Sequence, residues 1–209
     1  MNNKIKFLSI EKVLFVVVFA LGLIWTFLIP PFQKPDENTH YFRAVSIAKG
    51  EFVCATGDNK EAFEIGSKYL EFNNQQKTSQ IAFNYEEKTS FSEIFHHNNS
   101  SDENNGKFYF MGFCGLDPFS YFLFIIPILI GDLVNSLLVG FFLCRLFAFL
   151  LFFICSLWSY KKIKESRFKW VLILFALTPM VTHQASAIGY DYLLLSVVPI
   201  LFSFNIRFL

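Results

Sequence analysis

The sequence predicts an all-α integral membrane protein with about four transmembrane helices and interfacial helices in one large external loop. Three observations carry that reading. The 209 residues are 54% hydrophobic and include 29 Phe, a load that lipid accepts more readily than the core of a small soluble domain. Nearly all charges fall in the first dozen residues, in 33–107 and in 161–169, and long apolar tracts run between these blocks. The net charge of +1 gives bulk electrostatics no pull on a phosphate backbone, so no nucleic-acid partner is expected.

Lys4, Lys6 and Lys12 precede Val13–Ile29, 17 apolar or neutral residues. That run is longer than a typical signal-peptide core, and it ends in Pro30-Pro31 with no small-x-small cleavage site. It predicts an uncleaved transmembrane helix at 13–29, with residues 1–12 cytoplasmic by the positive-inside rule. Residues 30–135 then form the external loop. Within it, 36–49 reads as a short amphipathic helix: Pro35 precedes it, Asp36 or Asn38 can cap it, and Gly50 can end it. Tyr41, Ala44, Val45 and Ala48 make a narrow apolar stripe suited to a helix lying on the membrane surface. Residues 51–107 are polar and rich in Asn, Gln and Ser, and predict loop with one or two short elements. The pair His96-His97 falls in that run and reads as loop rather than as a metal tract, since loose ligands carry a large ordering entropy.

The topology of the second half turns on 118–131. Phe119–Ile130 is strongly apolar but has 12 residues, short of the roughly 20 that a span requires. If it crossed, the basic loop 161–169 would fall outside, against the positive-inside rule. An interfacial or re-entrant segment at 118–131 keeps that loop cytoplasmic with Lys4 and Lys6. Transmembrane helices follow at 136–160, 170–190 and 192–206. Counting from Lys161, Arg145 stands about 24 Å up its helix, near the outer boundary. Asp36, Glu37, His40, Arg145 and Asp191 can therefore gather at one membrane face.

These residues offer definite chemistry. Asp36 and Glu37 lie four and three residues before His40, so at least one acid can share a helix face with the imidazole. Such a set can serve as a carboxylate base or as hard-cation ligands, with Mg²⁺ or Mn²⁺ as the candidate cofactor. Equally, the acids can simply favour a helix N-terminus. Arg145, inside an apolar run, can bind a lipid phosphate, snorkel to the headgroups, or pair with Asp191, which sits beside Tyr190 between two apolar runs. His183 and Gln184 can line a polar cavity or hydrogen-bond between helices. Cys144 and Cys155 fall in apolar runs as packing residues, whereas Cys54 and Cys114 bracket the loop. A disulfide between the latter two and a pair of free thiols fit the spacing equally well.

Pro30-Pro31-Phe32 through Pro35-Asp36-Glu37, then His40, Arg43 and Gly50, resembles the opening of the bacterial membrane family called domain of unknown function 2142. Pro118 with Tyr121, Arg145, and Thr178-Pro179-Met180 through Ala185-Ser186 to Asp191 resemble further parts of it. The resemblance covers most of the chain apart from the loop, and Asp117 departs from the His expected before Pro118. That family looks similar to the GT-C class of integral-membrane glycosyltransferases. The resemblance implies Asp36 and Glu37 as catalytic base or metal ligands, and His40 and Arg145 as phosphate contacts. It further implies Asp191 as an additional polar site, with Arg43 and Tyr190 as neighbouring substrate-binding candidates. It implies a polyprenyl-phosphate sugar donor, the bacterial plasma (inner) membrane as location, and a periplasmic or external loop. GT-C enzymes are longer, so the expectation is an N-terminal module, with a second chain completing the helix bundle as a candidate partner. Two other classes compete: a non-catalytic scaffold or accessory subunit, and a transporter of lipid-linked substrates.

Overall fold

The computed structural model describes residues 10–53, 55–57, 60–76, 86, 91–95, 107–110 and 116–206. Lys4, Lys6, His96, His97 and the candidate disulfide residues Cys54 and Cys114 lie outside the described residues.

Helix α1 (Ile10–Phe27) runs beside α6 (Leu137–Lys162), and these two are long and apolar enough to cross a membrane. Their pairing is fixed at both ends. The Tyr160 hydroxyl donates to Glu11 Oε2 at 2.7 Å, and Arg145 donates to the carbonyls of Thr26, in the last turn, and Ile29, just past it. Between these ties Phe15 and Phe19 pack edge-on or tilted against Phe149, Phe153 and Tyr160. A Cβ at Gly22 would overlap the Phe149 ring, so the helices approach through a glycine. The 18 residues of α1 rise about 27 Å, close to the thickness of a hydrocarbon core.

Helices α7 (Ser166–Leu177), α8 (Pro179–Ala185) and α9 (Asp191–Asn205) complete this bundle. The stretch 170–190, expected as one helix, is divided. Thr178 is extended (φ −61°, ψ 121°) because the following proline disfavours helical geometry, and Pro179 then opens α8. Helix α9 returns along α6, with Phe204 against Trp158 at one end, while at the other Tyr192 packs on Phe124 of the helix preceding α6.

Above the Arg145 level, α6 continues for two turns with different neighbours. Helix α5 (Phe122–Leu133), entered through a 3₁₀ turn at Pro118–Tyr121, folds back on α6 as a tight hairpin. Asn135 takes a left-handed φ of 53° in the hairpin turn, and Ser136 caps α6 by accepting from the Val139 N–H. The helices touch through two glycines: a Cβ at Gly131 would lie 2.7 Å from Gly140 Cα.

Helix α2 (Glu37–Ala48) packs on α5 and corrects two expectations. Its boundaries match the predicted 36–49 within two residues, but it is not a surface helix. Tyr41, Ala44 and Val45 are buried as the stripe requires, and so are Phe42 and Ile47 around the circumference. The covering layer is a second correction, because the chain is mostly helical rather than all-α. Strands β1 (Ala55–Gly57), β2 (Lys60–Gly66) and β3 (Lys107–Phe110) form an antiparallel sheet ordered β1-β2-β3, with Ala55 opposite Ala62 and Phe63 opposite Phe110. With α3 (Ser67–Gln75) and the short α4 (Phe91–Phe95), the sheet adds Ile65, Tyr69, Phe72 and Ile94 to the core that holds α2. Asp132, at the end of α5, ties this layer down by accepting from Lys49, Lys68 and the Tyr69 hydroxyl.

Candidate functional site

The segment from Pro30 to Asp36 joins α1 to α2 and carries the site's framework. Two of its residues have left-handed backbone: Phe32 (φ 63°) and Asp36 (φ 54°). For a bulky residue this conformation costs on the order of 1–3 kcal/mol and persists only where packing enforces it. Packing does so here, since the Phe32 ring is wedged among Tyr41, Phe72 and Phe141. The turn at Asp36 sends two adjacent carboxylates to different places. Asp36 is exposed at the helix start and makes no side-chain cap bond, while Glu37 is 0% exposed.

Glu37 meets Arg145 fork to fork. Arg145 Nε donates to Oε1 at 2.8 Å and Nη2 to Oε2 at 2.5 Å. Glu37 Oε1 also accepts the Ile188 N–H at 3.2 Å. Arg145 spends its other donors on the carbonyls of Thr26, Ile29 and Pro30, and its guanidinium lies 4.8 Å from the Phe141 ring centre. A buried charge is tolerable only when paired and fully hydrogen-bonded, and this set meets that condition. Arg145 is therefore the clasp that joins α1, α2 and α6, with no donor turned to a phosphate. Its expected pairing with Asp191 is replaced by the pairing with Glu37.

Lys34 supplies a second clasp. Lys34 is 1% exposed, and its Nζ donates to the carbonyls of His183 (3.1 Å) and Ser186 (2.6 Å) and to Ser186 Oγ (2.7 Å). Burial, aided by Arg145 and opposed by Glu37, lowers its pKa to about 6. Lys34 in the connector and Glu37 at the start of α2 thus both grip the 183–188 segment. The only sequence signal for Lys34 was a cation three residues before an acid between two prolines.

Beside these clasps lies a cavity of about 170 Å³ lined by Pro35, Asp36, His40, Gln184 and residues 187–191. His40 Nδ1 lies 2.6 Å from the Tyr121 hydroxyl, with the donor set by which ring nitrogen carries the proton. The imidazole stacks on Tyr121 and meets Tyr190 edge-on. Burial holds its pKa below the ordinary histidine value, against the pull of Asp36, Asp191 and Glu37. Asp191 accepts from Gln184 Nε2 at 2.6 Å, so Gln184 both lines the cavity and orients the acid. Of the predicted site residues, Asp36, His40, Tyr190 and Asp191 come together here.

Residues 19–209 match the family model described as a predicted membrane protein, DUF2142. The chain belongs to this family. No curated protein and no solved structure matches it. The DUF2142 chain is accordingly a membrane protein, in keeping with its two membrane-length helices.

Three of the predicted site residues take other places in this DUF2142 protein. Glu37 and Arg145 form the clasp, and Arg43 is buried beneath the loop after α2, donating to the carbonyls of Glu51 and Phe52 and to Ser46 Oγ. The Asp36-Glu37 pair does not fit a shared divalent cation, because Arg145 occupies both Glu37 oxygens and Asp36 alone reaches the cavity. Among the described residues no group of three His, Cys, Asp or Glu is arranged to hold a metal ion. Tyr121, which the motif included without a role, is the residue that orients His40.

Proposed function

We propose that this DUF2142 chain is a membrane glycosyltransferase of GT-C type, or its N-terminal module, acting at the outer face of the bacterial plasma membrane in surface-glycan assembly. The observation that carries the reading is the convergence of Asp36, His40 and Asp191 on one polar cavity above the bundle. In the proposed reaction Asp36 takes the proton from an acceptor hydroxyl, whose oxygen bonds to the anomeric carbon of a polyprenyl-phosphate sugar. The anomeric C–O bond breaks, and the lipid phosphate leaves with the electron pair. Asp191 and His40 align the acceptor.

Four passes suit this reading: α1, the lower part of α6, α7 with α8, and α9. The Glu11–Tyr160 contact supports the orientation, since it sets the start of α1 beside the basic 161–169 loop and leaves the cavity at the opposite end. The test is Asp36→Asn in the native host, at unchanged protein abundance. Loss of the surface glycan is expected, and a normal glycan profile would overturn the assignment.

The clasp itself supports a second reading, a non-catalytic accessory subunit, because one acid of the pair is wholly structural. Under that reading Asp36→Asn leaves the glycan intact, whereas Glu37→Ala depletes the protein.

A further inference from the structure

A second cavity of about 190 Å³ adjoins the polar one. It is lined by Leu116, Asp117, Ser120, Tyr121, Tyr190, Leu193 and Leu194. Tyr190 lines both cavities, and Tyr121 walls the second while bonding the histidine of the first. Asp117 turns its carboxylate back on the Phe119 N–H, which leaves leucines and tyrosine rings as the main lining. Leu194, 59% exposed, also begins the stripe Leu194, Val197, Val198 and Leu201 along the outside of α9. A stripe at that spacing on a membrane helix faces acyl chains, so the apolar cavity continues the lipid surface up to the polar site.

The electrostatics of the polar cavity are one-sided. Asp36 and Asp191 present two carboxylates, and among the described residues no Lys or Arg lines it. Lys34 and Arg145 stand close by, but their donors are spent on Ser186, His183, Glu37 and the end of α1. Burial keeps His40 below its usual pKa, so it adds no standing positive charge at neutral pH. A phosphate entering here would meet like charge without a partner, whereas hydroxyl groups would find carboxylate acceptors beside an aromatic wall.

We infer that the two cavities form one site for an amphiphile with a neutral, hydroxyl-rich head, the head lying between Asp36 and Asp191 and the chain against Leu116, Leu193 and Leu194. This rests on the reading of the polar cavity as the acceptor site, and it makes the acceptor a neutral glycolipid. The two volumes together reach the lower end of the usual range for small-molecule sites, about 300–1,000 Å³.

The test is photolabelling of the full chain in phosphatidylcholine nanodiscs, using octyl glucoside with a diazirine in its alkyl chain. Labelling of 116–121 and 190–194 is expected, with octyl glucoside competing at least tenfold better than octyl phosphate or octyltrimethylammonium. Asp36→Asn with Asp191→Asn should erase that preference over octyl phosphate, and Leu193→Trp, which fills the apolar cavity, should abolish the label. Equal or better competition by the phosphate or the ammonium overturns the inference, as does labelling unchanged by Leu193→Trp. Because binding is read here and glycan in the host, either proposal can fail alone.

Discussion

Glu37 and Arg145, 108 residues apart, form a fully buried two-point ion pair that joins α1, α2 and the long central helix α6. Removing one partner leaves an uncompensated buried charge, which costs about 3–5 kcal/mol. Glu37→Ala and Arg145→Ala should each lower the thermal unfolding midpoint of the purified chain and its abundance in the host. The double substitution with Met at both positions should recover part of the loss. Recovery stays incomplete, because the carbonyls of Thr26, Ile29 and Pro30 lose their donors.

Lys34 makes stability depend on pH with a definite sign. Its folded pKa of about 6 lies below the ordinary 10.5, so between these values the unfolded chain binds more protons than the folded one. Stability therefore rises with pH across that window, and the full cost is present below pH 6. Unfolding midpoints measured from pH 6 to 10 should climb, and Lys34→Met should flatten the slope.

Tyr121→Phe removes the hydroxyl that holds His40 Nδ1 and leaves the ring stack in place. One such hydrogen bond is worth about 1 kcal/mol, so under the proposed function glycan transfer should fall about fivefold. The acidic limb of the pH profile should also move, because the bond that favours one ring tautomer is gone. A purely structural tyrosine would change abundance and leave that limb where it was.

Gly131→Ala tests the α5–α6 hairpin. The added carbon would stand 2.7 Å from Gly140 Cα, a contact with backbone that no rotamer can relieve. Overpacking of this kind costs about 1–3 kcal/mol, and the hairpin carries the layer that covers α2. A lower unfolding midpoint is expected, with no change in the pH slope assigned to Lys34.

The parts of this fold that read clearly from sequence are those governed by local composition. The 17-residue run at 13–29 and the long run at 136–160 become Ile10–Phe27 and Leu137–Lys162, displaced by at most three residues at either end. Pro35 and the following acids mark the start of α2 because helix starts are local events. The burial of α2 was not legible. Tyr41, Ala44 and Val45 form a stripe by themselves, but Phe42 and Ile47 are covered by elements far along the chain. The strands are not legible either, because β2 and β3 pair across a long polar stretch that shows no sustained periodicity. Counting helix rise puts Arg145 far from the basic loop, and the structure has it level with the end of α1 but paired with a different acid from the one expected. Asp191 was the nearer choice in sequence, while the turn at Asp36 decides which carboxylate points inward, and no residue spacing encodes that turn.

The two clasps also impose an order on synthesis. Arg145 leaves the ribosome 108 residues after Glu37, and Ser186 follows Lys34 by 152. Before those points the start of α2 carries an acid, and the connector before it an amine, whose partners do not yet exist. The cavity closes only once the 183–191 segment has arrived, so a nascent chain halted after Arg145 but before that segment would have its first clasp made, with Lys34 still lacking its acceptors.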